Sequence, residues 1–185
     1  ITLQGIHSLS ASAHKIGGPK GFGFLYRAKT AKLESLMQGG GQERGLRSGT
    51  QNLFGMRGFA LALKNRDRDA NLARAQNLCS LFVEGIKNIS GAVLLPEDRS
   101  ADDSRFSPYI VSCAFPGLTG EVLVRLLSDR GIDISTGSAC SSAHKERRIL
   151  DAMRVDRKVS LGAIRISTGP TTTEQDITMT LEALA

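Results

Sequence analysis

Four short stretches hold residue types that do chemistry. The first is SASAHKIGGPKG, residues 10–21, where Lys15 and Lys20 stand among glycines and His14 precedes the first lysine. A lysine amine becomes a carbonyl-attacking nucleophile when desolvation or a nearby cation lowers its pKa. The plainer reading is a pair of solvated turn lysines. The second stretch, QGGGQERGLRSGT at residues 38–50, carries five glycines. Its successive backbone N–H groups with Arg44, Arg47, Ser48 and Thr50 can cradle an anion, and a flexible connector has the same composition. The third, STGSACSSA at residues 135–143, sets Cys140 among small polar residues, the surroundings of an accessible thiol. Cys113 in YIVSCAF suits a core thiol, and Cys79 on a helical stretch an inert one. In the fourth, AIRIST, Arg165 interrupts an apolar strand. It lies either on the solvent side or towards a pocket, where its planar fork would suit a carboxylate.

These residues need elements to position them, and the pattern is α/β. GFGFLY (21–26) reads as a strand after a glycine turn, and residues 29–37 as a short helix. From Asn52 to Ile89 the periodicity is helical and long, with Leu53, Met56, Ala60 and Leu63, then Leu78, Leu81, Phe82 and Ile86, stopped by Gly91. AVLLP and SPYIVSCAFP read as strands, and TGEVLVRLLSDRG as a helix capped by Thr119 and ended by Gly131. IDIST and GAIRISTG are two further strands. TTTEQDITMTLEAL is a closing helix with Thr171 or Thr172 as its cap and a glutamate behind. A second, small α/β domain is expected to begin near residue 65.

Composition bounds the function classes. At 185 residues, with 41% hydrophobic and 23% charged residues, the chain can build one large core or two small ones. No apolar run approaches the ~20 residues of a membrane helix. Three cysteines without CxxC spacing argue against a disulfide framework and against a zinc site, and predict a reducing, cytoplasmic setting. The net charge of +6 suits an anionic ligand. The basic residues are scattered, with two tyrosines and no tryptophan, so no nucleic-acid platform is expected. The chain starts at ITLQG without methionine and is expected to be a piece of a longer protein.

The four stretches also share an order. SASAHKIGGPKGFGFLY resembles the pyridoxal-phosphate lysine segment of the NifS/IscS-like cysteine desulfurases, of the class V aminotransferase family. GGGQERGLRSGT resembles their glycine-arginine loop, STGSACSSA their catalytic-cysteine loop, in its long-loop form, and AIRISTG their substrate-arginine strand. The resemblance covers essentially the whole chain. It implies the C-terminal part of a fold-type I PLP-dependent transferase. Residues 1–64 would end the large cofactor-binding domain, and residues 65–185 would form the small domain with the cysteine loop.

The resemblance further implies that Lys15, rather than Lys20, binds pyridoxal phosphate covalently. Ser12 and His14 would contact the cofactor phosphate, and Thr50 would reach the phosphate of the neighbouring subunit, which implies a homodimer. Arg165 would hold the carboxylate of L-cysteine, and Cys140 would take its sulfur as a persulfide, leaving L-alanine. The implied partner is a sulfur-acceptor or scaffold protein for iron–sulfur cluster assembly or tRNA thiolation, without direct nucleic-acid or membrane binding. His7 stands where the family usually has an acidic residue, Tyr109 where asparagine is common, and Lys145, Arg147 and Arg148 replace a proline-bearing sequence. These departures bear on acceptor choice more than on the reaction. The family's cofactor-stacking histidine and its pyridine-nitrogen aspartate belong to a segment upstream of this one, so the chain alone is expected to be inactive. Two other readings are a selenocysteine lyase or related class V enzyme, and a non-enzymatic sulfur-carrier or binding module.

Overall fold

The segment leading to Lys15 is a strand. In the computed structural model, which describes residues 2–137 and 148–185, Ser8–Ser12 (β1) pairs antiparallel with Gly23–Arg27 (β2), Ser12 opposite Gly23. The return is a tight 3-10 turn, Ala13–Ile16, ended by Gly17 at φ 81°, a left-handed conformation that a Cβ disfavours. Ala13 is fully buried; its N–H donates to Phe22 O at 2.9 Å and its own carbonyl accepts from Gly18 N at 2.9 Å. A Cβ on Gly18 would press on Ala13 at 3.0 Å, so glycine there allows the close return. Leu53–Lys64 (α1) follows, capped by the Asn52 side chain, which accepts from Gly55 N at 2.9 Å. Its Phe59 packs on Phe22 and Phe24, with ring centroids 6.2 and 5.5 Å apart.

The chain divides into two compact units, Ile1–Asp67 and Arg68–Ala185. The second begins with Arg68–Lys87 (α2) and contains a three-stranded antiparallel sheet in the order β3-β4-β5: Val93–Leu95 (β3), Ile110–Ala114 (β4) and Ala163–Ser167 (β5). Alternation along the strands sorts the side chains onto two faces. Leu94, Val111, Cys113, Ile164 and Ile166 join Leu78, Phe82, Val83 and Ile86 of α2 and Ile177 of the closing helix, Glu174–Leu184 (α6), in the main core. On the other face Leu95, Ala114 and Ala163 pack with Leu150, Val155 and Val159. Leu150 belongs to Arg148–Ala152 (α4) and Val159 to Arg157–Leu161 (α5). Both precede β5, and Gly120–Ser128 (α3) follows β4. Among the described residues no helix is long and apolar enough to cross a membrane.

Several local expectations give way to tertiary structure. Residues 29–37 form no helix: the Ser35 hydroxyl donates to Met37 O and Leu46 O, each at 3.1 Å, and Met37 bridges to Arg47. The long helix expected from Asn52 to Ile89 is two, broken in the polar run Asn65–Asp67, where no apolar side chain is available to bury and Asn and Asp compete with the helical backbone. IDIST forms no regular strand, pairing with β5 only where Ser135 meets Arg165. Thr119 stands at the N-cap of α3 without a side-chain cap bond. The cap of α6 is Thr173 rather than Thr171 or Thr172. Its hydroxyl accepts from Asp176 N at 3.2 Å while the Asp176 carboxylate accepts from Thr173 N at 2.8 Å.

After α4 the chain turns through Arg154 at φ 58°, with Arg154 N donating to Asp151 O at 2.9 Å and Val155 N to Leu150 O at 3.0 Å. This helix-ending turn normally takes glycine. The left-handed conformation costs a residue with a Cβ about 1–2 kcal/mol, and glycine's looser unfolded chain returns part of that. Arg154→Gly is therefore expected to stabilise the second unit by about 0.5–1 kcal/mol. A urea melt would show a raised midpoint at unchanged slope, and a lowered midpoint would mean that the arginine side chain outweighs the strain.

Candidate functional site

Candidate groups occur in both units. In the first, β1 delivers Ser12 to its end and the 3-10 turn presents His14 and Lys15 directly after it. All three are exposed, and none makes a side-chain hydrogen bond or ion pair to another described residue. A hydroxyl, an imidazole and a primary amine thus sit free on a glycine-fixed turn. That donor set fits a ligand bearing both a phosphate and an aldehyde: neutral and charged donors for the anion, an amine for the carbonyl. Lys20 is exposed too, but lies beyond Pro19 on the return towards β2.

The glycine loop is held shut by its own side chains. Ser48 N donates to Met37 O at 3.3 Å, Ser48 Oγ to Gln38 O at 3.2 Å, and Gly49 N to Gln42 Oε1 at 3.4 Å. The Arg47 guanidinium donates to Ser48 O. The cradle expected of Arg44, Arg47, Ser48 and Thr50 therefore loses Arg47 and Ser48, whose side chains close the loop instead. Thr50 is exposed at the end of the loop.

In the second unit Arg165 lies on β5, half-buried. It is on the opposite face from Ile164 and Ile166, in a row that runs Leu95, Ser112, Arg165 across β3, β4 and β5 and ends at Ser135. Its backbone N–H donates to Ser135 O at 2.6 Å, and its carbonyl accepts from Ser135 N at 3.2 Å. Arg165 Nε is buried without a hydrogen-bond partner among the described residues. A buried donor left unpaired costs about 1–3 kcal/mol, so the position calls for an acceptor. A carboxylate, taken bidentately through Nε and one Nη, would supply it. The open choice between solvent side and pocket thus settles on a half-buried, unsatisfied arginine.

Cys140 lies outside the described residues, as do Lys145 and Arg147. The segment that carries it starts at Ser135, which is bonded to Arg165. The other two thiols are free and buried, Cys79 at 1% and Cys113 at 0% exposure. Burial pushes the Cys113 thiol up to about 12. The Cys79 thiol accepts from Arg99 Nη2 at 3.6 Å. Neither is an accessible nucleophile.

Sequence reasoning passed over Ser112 and Ser135, the residues that flank Arg165. The available signal was the polar residue that interrupts each apolar run, Ser112 within IVSCA and Arg165 between Ile164 and Ile166. Pairing those two residues needs the register, which no local pattern carries.

The profile defining the aminotransferase class-V family matches residues 1–179. The chain is 36% identical over 183 residues to the cysteine desulfurase IscS of Dictyoglomus turgidum, an alignment covering 97% of this chain and 45% of that protein. To the cysteine desulfurase IscS of Clostridium botulinum it is 38% identical over 184 residues, covering 97% of this chain and 45% of the relative. Among solved structures, a NifS-like protein superposes with a TM-score of 0.79 at 37% identity, covering 96% of this chain and 45% of that one. The chain spans about 45% of the length of the curated relatives it matches.

Proposed function

The chain belongs to the class-V aminotransferase family, and on that premise we propose that it supplies the cofactor lysine, the substrate arginine and the sulfur-accepting cysteine of a pyridoxal-phosphate-dependent cysteine desulfurase. The observation that carries the reading is Arg165. Its unpartnered, buried Nε sits at the root of the segment that bears Cys140, so one strand residue ties a carboxylate site to a thiol. The names of the relatives support the reaction class.

Each role follows from the chemistry of the group. Ser12 and His14 would donate to the cofactor phosphate, and Lys15 Nζ would hold the cofactor by its aldehyde carbon. When bound, pyridoxal phosphate supplies an electron sink that acidifies the substrate Cα–H. Lys15 Nζ would also be the base that moves the substrate Cα proton. Arg165 fixes the substrate by its carboxylate and so aims the side-chain sulfur. Cys140 Sγ, as thiolate, takes that sulfur. A new S–S bond forms on Cys140 as the substrate Cβ–S bond breaks, so cysteine plus thiol becomes alanine plus persulfide. Thr50, exposed and away from the Lys15 turn in sequence, suits the phosphate of a second subunit, and the enzyme in this reading is a homodimer. A sulfur-acceptor or scaffold protein of iron–sulfur cluster assembly or tRNA thiolation would consume the persulfide. A reducing, cytoplasmic setting keeps the free thiols available.

The full-length protein, given pyridoxal phosphate and L-cysteine, is expected to release L-alanine in step with persulfide. Borohydride reduction followed by peptide mapping is expected to fix the cofactor on Lys15. Label on Lys20 with none on Lys15 would overturn that assignment. Turnover of selenocysteine without turnover of cysteine would make the enzyme a selenocysteine lyase.

A further inference from the structure

The row of side chains that holds Arg165 contains a second free donor. Both backbone groups of Arg165 are engaged by Ser135, at 2.6 and 3.2 Å, so they do not bond across to β4. Ser112, opposite Arg165 in the β4–β5 register, is therefore its non-hydrogen-bonded partner. The flanking bonds agree: Phe115 N donates to Gly162 O at 3.1 Å and Thr168 N to Tyr109 O at 2.9 Å, which assigns the hydrogen-bonded positions to the alternate residues. In an antiparallel ladder the non-hydrogen-bonded pair is the close one, about 4.5 Å between Cα atoms against about 5.5 Å, and its side chains stand nearest. Ser112 and Arg165 are thus neighbours on one face, both half-buried.

The hydrogen-bond inventory of this row separates its members. Ser135 Oγ donates to Gly137 O at 3.1 Å. The Ser112 hydroxyl makes no hydrogen bond to another described residue, and Arg165 Nε has none either. Leu95, on the far side of Ser112, offers no polar group. Arg165 Nε and one neutral hydroxyl therefore stand on one face, neither with a hydrogen-bond partner among the described residues. The serine side chain is short enough to leave the fork uncovered, and its O–H can turn to whatever the fork binds.

We propose that Ser112 donates a hydrogen bond from Oγ to the carboxylate that Arg165 holds, making it a second carboxylate-binding residue of this site. Naming that carboxylate as the one of L-cysteine rests on the proposed desulfurase reading; the paired anion site itself does not. A bidentate guanidinium fixes the plane of a carboxylate, and a third donor from β4 fixes its rotation about the arginine axis. Ser112 would in this way set where the substrate side chain points.

Two measurements on the full-length protein test this. In steady-state kinetics with L-cysteine, Ser112→Ala is expected to raise KM about tenfold, the order of one hydrogen bond to a charged acceptor, with kcat within about twofold. Ser112→Thr, which keeps the hydroxyl, is expected to return KM to near wild type. Independently of turnover, protein labelled with 15N-arginine is titrated with sodium acetate, with sodium chloride as control. The Arg165 Nε–H resonance is expected to shift saturably with acetate alone, and Ser112→Ala to weaken that binding about tenfold. Unchanged KM and unchanged acetate binding in Ser112→Ala would overturn the proposal. So would a loss of kcat that threonine does not rescue, or a resonance that responds equally to chloride. If the wild-type protein makes no alanine while the acetate effects hold, the desulfurase reading fails and the paired anion site stands.

Discussion

Replacing Cys140 by serine in the full-length protein is expected to abolish alanine formation from L-cysteine, a loss on the order of 10³-fold or more, while leaving the cofactor trapped on Lys15 as before. Cys140 has small polar neighbours, while the other two cysteines are buried. Cys113 is fully buried on β4, and that burial pushes its thiol up to about 12, so it stays protonated at pH 7. Cys79 faces the same core from α2. A thiolate that must meet a substrate cannot come from either. Cys113→Ala and Cys79→Ala are expected to lower stability by leaving small cavities and to keep turnover per folded enzyme. Desulfuration that survives Cys140→Ser and disappears with one of the core variants would move the role there.

The 185-residue chain by itself is expected to bind pyridoxal phosphate weakly or not at all and to turn over no L-cysteine. Its first unit leaves large apolar side chains open: Leu36 is 98%, Phe54 94% and Leu53 67% exposed. The only sheet described there is the two-stranded β1–β2 pair, and an isolated pair is marginal in water, with unpaired backbone on both edges. The Ser12–Lys15 turn is no more rigid than that pair. The first unit is therefore expected to need another polypeptide segment or a second copy to cover it, whereas the second has its own three-stranded sheet and core. Titrating the purified chain with the cofactor should yield no stoichiometric visible band, and sedimentation should reveal self-association. A stoichiometric band with alanine production from a monomer would refute both parts.

How much of this was legible beforehand depends on the range of the interaction involved. Strands β2 to β5 and helix α3 declare themselves through local runs and alternation, as in IVSCA and AIRIS, because burial on a sheet face is written residue by residue. The inertness of Cys113 is partly legible from its apolar run, interrupted by Ser112, whereas that of Cys79, beside Ser80, follows from burial in the core. The failures involve longer range or near-degeneracy. Residues 29–37 are drawn out of a helix by Ser35 bonds reaching Leu46. Three threonines in a row offer the same cap chemistry, and only Asp176 decides for Thr173. The Ser112–Arg165 pair joins positions far apart in sequence through register alone. The roles given to Lys15, Ser12, His14, Thr50 and Cys140 came from resemblance, not from periodicity.

The double backbone bond between Ser135 and Arg165 also sets a tether length. Five peptide units separate Ser135 from Cys140, and a fully extended chain spans at most about 3.6 Å per residue. Chain length alone keeps the Cys140 Cα within about 18 Å of Ser135, which is bonded to the strand bearing Arg165. One thiol confined to such a sphere has an effective concentration of tens of millimolar. In the proposed desulfurase reading, small-molecule thiols in dilute solution would compete poorly with it for the substrate sulfur. In the same reading the radius bounds delivery: a protein drawing sulfur from Cys140 would have to bring its own thiol to within side-chain reach of that sphere, close to β5 of the second unit.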